Sequence, residues 1–255
     1  MRSSRVRAIV MVFAAAAALH FGARDLAAAN FSVNPVQIHL SAKVPTALLT
    51  LRNDSTETLR FQLSGFTWDQ SSSELIQLTP TTDVIFFPQL LTLGPKEERK
   101  IRIGTTAAFG GVEKTFRLFV EELPPLDKPG EAKSGVAVLT RVGIPVFMAA
   151  TTPLSQLEIG DLGLQRGVLG FLVRNTGNTH FMTSKVVVKS LGRAGEVVME
   201  RSLTGWYVLG GRSRQYQVDI PAADCSRIAS SIVEVTSGGQ TVTSRTMTTP
   251  SGCKQ

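Results

Sequence analysis

The chain has 255 residues, 18% of them charged, and a formal net charge of +7. Four of the 27 basic residues and one of the 20 acidic ones lie in the first 29 positions, so the rest carries only +4, too little for a nucleic-acid surface. Three histidines and two cysteines leave almost nothing from which to build a metal cage.

The first segment reads as an address. Arg2, Arg5 and Arg7 precede an uncharged apolar run from Ala8 to Leu19, and Ala27-Ala28-Ala29 offers small residues for cleavage just before Asn30. The competing reading is a membrane anchor. The run is shorter than the roughly 20 apolar residues a spanning helix needs, and Arg24-Asp25 interrupts its far side. No second apolar span follows, so the mature chain is expected to be exported and to cross no membrane. The 226 residues after position 29 suit two domains of about 100 residues better than one.

From there the periodicity is two. Ala47, Leu49 and Leu51 alternate with polar or smaller residues, and Leu59, Phe61 and Leu63 do so after the turn Asn53-Asp54-Ser55-Thr56. Phe116, Leu118 and Val120 repeat the pattern, as do Leu169, Phe171 and Val173. Side chains at i and i+2 share one face of a strand, so each segment has a buried and a wet side. Turns at Leu93-Gly94-Pro95, Gly192-Arg193-Ala194-Gly195 and Gly238-Gly239 divide the strands, and no helical period is sustained. The class is all-β. The charged runs Glu97–Lys100 and Arg212–Arg214 fit solvated strands or turns.

A duplication is visible. Leu49–Asn53 and Phe171–Asn175 each end a strand in a turn, 122 residues apart; Leu93–Lys96 and Leu209–Arg212 each precede a polar strand, 116 apart. This suggests two copies of one plan, with the boundary near Thr151-Thr152-Pro153: residues 30–150, then 151–255.

Residues Leu123 to Gly135 are rich in Pro, Gly and charge, a composition for a long loop. The strand expected after it, Gly135 to Met148, is apolar on both faces over its first half, and suggests an edge with something else to bury. Cys225 and Cys253 read either as one disulfide closing the last strands of an exported domain or as two free thiols. Neither Gly-x-Ser-x-Gly nor Gly-x-Gly-x-x-Gly occurs, and the only Ser-x-x-Lys, Ser251 to Lys254, sits in the tail. No catalytic residue and no cofactor are assigned.

Several phrases in order carry a resemblance: Leu78–Asp83 followed by Phe87-Pro88, Leu93-Gly94-Pro95 leading to Ile101-Arg102-Ile103, Phe119–Pro125, and Ile144–Phe147. With these the stretch from Asn30 to Met247 resembles the periplasmic pilus chaperones of the PapD-like family. The resemblance implies two tandem immunoglobulin-like β-sandwiches in an L- or boomerang-shaped arrangement. It further implies a non-enzymatic chaperone that lends a strand to pilin-type subunits and delivers them to an outer-membrane usher. The alternative is an exported adhesion or surface-binding module on the same fold.

On the family's pattern Val136, Val138 and Thr140 would face the subunit groove, with Ala137 and Leu139 turned to the chaperone's core. Better-known members hold the subunit's terminal carboxylate with a cation in the first strand and a lysine in the seventh. Those places fall on Gln37 and Pro145, neither of which supplies a charge. The phrases Gly65–Gln70 and Gly205–Leu209 resemble instead the archaic, spore-coat-U-type branch. The cation must then come from elsewhere: Arg117 first, opposite in phase to Phe116, Leu118 and Val120; Arg141 assisting; Lys114 a distant third.

Overall fold

A computed structural model describes residues 31–73, 75–125, 138–247 and 252–253. The expected signal peptide, residues 1–29, lies outside the described residues, as do Val136, Ala137 and most of the Pro/Gly-rich loop.

Alternation of apolar and polar residues folds the first half into two facing sheets. One runs β1 (Phe31–Asn34), β3 (Thr46–Asn53), β8 (Glu98–Thr105), β6 (Val84–Phe87). The other runs β2 (Ile38–Leu40), β10 (Arg141–Met148), β9 (Lys114–Leu123), β4 (Leu59–Asp69), β5 (Gln77–Pro80), with β7 (Leu90–Leu93) also on β4. The expected inward residues Leu49, Leu51, Phe61, Leu63, Phe116, Leu118 and Val120 are buried between them, joined by Ile101, Ile103, Ile144, Val146 and Met148. Ala47 and Val142 close the margin.

The second half repeats the plan. One sheet is β11 (Leu157–Gln165), β12 (Val168–Asn175), β16 (Ser213–Asp219). Its partner is β14 (Val197–Leu203), β13 (Phe181–Leu191), β17 (Ser230–Ser237), β18 (Gln240–Met247), with β15 (Tyr207–Val208) on β13. Leu169, Phe171 and Val173 point into this second core, which draws on no residue before Leu157. One helical turn, α1 (Ala222–Cys225), brings Cys225 to Cys253, and the disulfide forms across a Cα separation of 5.7 Å.

The duplication is physical. Asn53 is buried and its Nδ2 donates to the Glu57 and Leu93 carbonyls, while its Oδ1 accepts from the Ser55 N–H. Buried Asn175 does the same with Thr179, Val208 and the Gly177 N–H. Each asparagine closes its own turn and ties it to the segment approaching the next strand. Leu93 therefore matches Val208 rather than Leu209: the second offset is 115, one less than the sequence phrases suggest.

One element differs from expectation. The long strand expected from Gly135 is a strand only from Arg141 among the described residues. The ladder runs Arg141↔Glu121 and continues with the Glu122 N–H donating to the Thr140 carbonyl, but Pro124 and Pro125 follow Leu123. Proline has no N–H to donate, so pairing stops there. Leu139 does not face the core as expected: the core phase of β10 belongs to Val142, Ile144, Val146 and Met148, and Leu139 is 41% exposed.

Candidate functional site

The site begins with the alternation of β9 and β10. Even-numbered residues of both strands enter the first core. Odd-numbered ones, Thr115, Arg117, Phe119 and Glu121 against Phe147, Pro145, Gly143 and Arg141, lie on the outer face. Because Thr140 and Glu122 form a hydrogen-bonded pair, the backbone groups of Arg141 and Gly143 are directed away from β9. On that side β2 pairs with β10 only along Val146–Met148. Among the described residues no strand pairs with the outward edge of Arg141–Pro145, where Arg117 occupies the Gly143 carbonyl and Pro145 has no N–H to offer.

Arg117 stands beside this edge. It is only 8% exposed; its guanidinium lies 3.9 Å from the centre of the Trp68 ring, and Nη1 donates to the Gly143 carbonyl at 3.2 Å. Its Nε and Nη2 are buried with no hydrogen-bond partner among the described residues. Burial drives the Arg117 pKa below its ordinary value, and only the Tyr207 phenol pulls the other way. A buried cation with unspent donors is costly to keep, and an anion arriving at the free edge would satisfy it with charge-assisted bonds.

Its surroundings come from both halves. Trp68, Phe147 and Leu209 form a small third core with Tyr207 against it. Trp68 donates Nε1 to the Leu75 carbonyl and meets Tyr207 edge to face at 5.5 Å. Polar clasps fix the seam. Arg212 grips Asp69 with two bonds of 2.6 and 2.7 Å, and Gln70 bonds the Tyr207 carbonyl and the Leu209 N–H. At the other end the Glu113 carboxylate accepts from Thr179 Oγ1 and the His180 N–H and bonds His180 Nδ1 at 2.7 Å. His180 stacks on Phe147 with ring centres 3.6 Å apart.

Arg141 is half exposed, paired with Glu121 at 3.4 Å and laid over Phe119 at 3.9 Å. It shares the outer face with Arg117, but Arg117 pairs with Pro145, four residues farther along β10, about 13 Å away at strand rise. Lys114, at the start of β9, is exposed. Val138 is 85% exposed; extended past Thr140, the core-facing phase of β10 would carry its side chain beyond the sandwich.

Pro145 and Gln37, the two positions without a charge, both border the site. Pro145 sits in register with Arg117 on the neighbouring strand. Gln37 accepts from the Tyr207 hydroxyl at 2.9 Å. Sequence reasoning missed Trp68, Tyr207, Glu113 and His180 as parts of one site. The tryptophan phrases around Trp68 and Trp206-Tyr207 were the available signal, since large amphipathic rings far from any core stripe suit a seam between domains.

Two β-sandwiches joined by an aromatic seam, with a buried cation beside one edge strand, define a two-domain β-sandwich protein. Residues 30–152 match the family of pili and flagellar-assembly chaperones through its PapD N-terminal domain. That match covers the first sandwich; the described chain as a whole is built of two β-sandwiches.

Among solved structures, the chain is similar to the CsuC–CsuE chaperone–tip subunit pre-assembly complex of archaic Csu pili from Acinetobacter baumannii. The TM-score is 0.57 at 20% identity, over 85% of this chain and 98% of that one. The CupB2 chaperone of Pseudomonas aeruginosa gives 0.52 at 16%, over 85% and 100%. The Salmonella enterica SafA pilin–SafB chaperone complex gives 0.55 at 14%, over 89% and 99%. At these identities the likeness is one of fold. No curated protein is close enough in sequence to match. No helix among the described residues is long and apolar enough to cross a membrane.

Proposed function

We propose that this chain is a periplasmic chaperone of the archaic branch, exported by a cleaved signal at residues 1–29. It binds pilin-type subunits by donor-strand complementation and passes them to an outer-membrane usher. An incomplete immunoglobulin-like subunit exposes a groove and unpaired backbone groups; the edge of β10 offers the missing hydrogen bonds, and Val136, Val138 and Thr140, continuing the core-facing phase, fill the groove. Residues 30–150 form the donor domain and 151–255 the second. The observation that carries the reading is Arg117, a buried cation with two unspent donors at the free edge, suited to the subunit's terminal carboxylate. Arg141, on the same outer face and ion-paired with Glu121, assists Arg117 at the carboxylate.

The test is co-expression with the subunits encoded alongside the chaperone, followed by purification from the periplasm. A stoichiometric complex that Arg117→Ala abolishes supports the reading. A complex recovered in normal yield from the Arg117→Ala, Arg141→Ala double variant would show that the anchor lies elsewhere.

A further inference from the structure

The two histidines of the described chain, His39 and His180, meet in one place. They flank Phe147, with His39 5.4 Å and His180 3.6 Å from its ring centre, and their own centres are 6.1 Å apart. His39 is wired onward: its Nε2 lies 3.0 Å from Gln37 Nε2, and Gln37 Oε1 accepts from the Tyr207 hydroxyl. Tyr207 meets the Trp68 ring edge to face, and the Arg117 guanidinium lies over that ring.

The polarity of this chain of bonds is set by His39. An amide nitrogen only donates, so Gln37 Nε2 donates to a neutral His39 whose Nε2 carries a lone pair. The Gln37 oxygen then faces Tyr207, whose single proton is spent on it. When His39 takes a proton from solvent on Nε2, that nitrogen becomes a donor and no longer suits an amide N–H. A half-turn of the Gln37 amide restores both bonds with reversed sense: the oxygen accepts from the imidazolium, and the nitrogen donates to the Tyr207 oxygen. The Tyr207 proton is thereby released to point elsewhere.

Resting on the carboxylate-anchor reading of Arg117, we propose that His39, Gln37 and Tyr207 form its second arm, a proton-driven relay that adds the Tyr207 O–H to a bound carboxylate as the pH falls. The place where better-known relatives keep a cation would thus hold a conditional one, two residues along at His39. Burial first, and then the neighbouring His180, keep His39 below its ordinary value in the free protein, while Glu113 pulls it upward. The charged and titratable groups facing the relay are Glu113 and His180 at one end, already bonded to each other, and Arg117 and Tyr207 at the other. A carboxylate arriving beside Arg117 favours the imidazolium, so binding takes up a proton and affinity rises as pH falls through the free-state value of His39. The rise levels off below that value, where His39 is protonated in the free protein too, and reverses once the carboxylate itself protonates.

The test uses the whole mature chain and two peptides of eight residues, alternating valine and threonine, one with a free C-terminal carboxylate and one amidated. Binding is followed by fluorescence anisotropy from pH 7.5 to 5. The carboxylate peptide should tighten by about three- to tenfold, the worth of one hydrogen bond, and the amide should not. Both His39→Gln and Tyr207→Phe should abolish this rise; the latter keeps the ring against Trp68 and removes only the hydroxyl. Imidazole nitrogen chemical shifts at pH 7.5 should show His39 Nε2 unprotonated. If the acid-dependent rise persists in Tyr207→Phe, or His39 Nε2 carries the proton at pH 7.5, the relay is wrong while the Arg117 anchor stands. If carboxylate and amide bind equally at every pH and Arg117→Ala changes nothing, the anchor reading fails and the relay falls with it.

Discussion

Arg117 illustrates how a residue can be unfavourable for the fold and apt for the function. It is buried on an aromatic ring, its only bond among the described residues is to the Gly143 carbonyl, and two of its donors are unspent there. Arg117→Ala should therefore leave the free chaperone's melting temperature unchanged or raise it. The same change should weaken the subunit complex by about 3–5 kcal/mol, the usual cost of removing one partner from a buried charged pair. Differential scanning fluorimetry of the free protein and recovery of the complex check the two halves separately. Arg117→Lys should not restore full binding, because an ammonium cannot keep the Gly143 bond and the flat contact with Trp68 while presenting two further donors. Full recovery by lysine would mean that charge alone suffices.

At the scale of elements, β10 serves two masters along its length. Ile144, Val146 and Met148 are buried in the first core, whereas Val138 is exposed. Ile144→Asp should prevent folding of the isolated chaperone, for it buries an unpaired charge. Val138→Asp should leave the fold and melting temperature intact and lose the subunit, each donated valine contributing about 1.5–2 kcal/mol of apolar burial. Loss of folding in Val138→Asp would place the division between core and donor segment elsewhere. The second sandwich has its own device in the Cys225–Cys253 bridge, which spans 28 residues. By the chain-entropy model it stabilises that domain by about 3–4 kcal/mol. A Cys225→Ser, Cys253→Ser variant should show a correspondingly lower midpoint in urea, with subunit binding at native conditions retained.

For the molecule as a whole, the seam decides how the protein answers pH. His39 titrates below its ordinary value of 6.5 in the folded state, first because its exposed ring is still partly desolvated and then because His180 is beside it. The unfolded chain therefore binds more protons in that window. Stability contributed by a neutral His39 is complete above about pH 6.5 and declines as pH falls from there to the lowered folded value. The free chaperone should be less stable toward urea at pH 5 than at pH 7.5, and His39→Gln should reduce that difference. An unchanged difference in the variant would assign the acid sensitivity to other groups. Asp69 adds a separate dependence farther down the scale. Burial opposes its ionisation, but the bonds from Arg212 and the Gln70 N–H prevail and lower its pKa, so its share is lost only below the ordinary carboxylate range.

Much of the architecture was legible because strand alternation is a local property. Leu59, Phe61 and Leu63, or Phe116, Leu118 and Val120, must share a face whatever the fold, and a buried face is the only stable place for them. The paired turns at Asn53 and Asn175 were legible for the same reason: each asparagine bonds residues two and four positions on. Arg117 could be singled out by phase alone, being the charged residue opposite an apolar stripe. Its burial could not, because that depends on Trp68, brought to it on β4, and on Tyr207, supplied by the second sandwich. The extent of β10 was likewise misjudged from apolar content; Pro124 and Pro125, on the partner strand rather than on β10, end the ladder. His39, Gln37, Tyr207, Glu113 and His180 are scattered over 170 positions, and nothing local marks them as neighbours. Sequence determines which face of a strand a residue occupies; which strands and which domains meet at that face is a long-range choice, made only when both cores have formed and the seam between them closes.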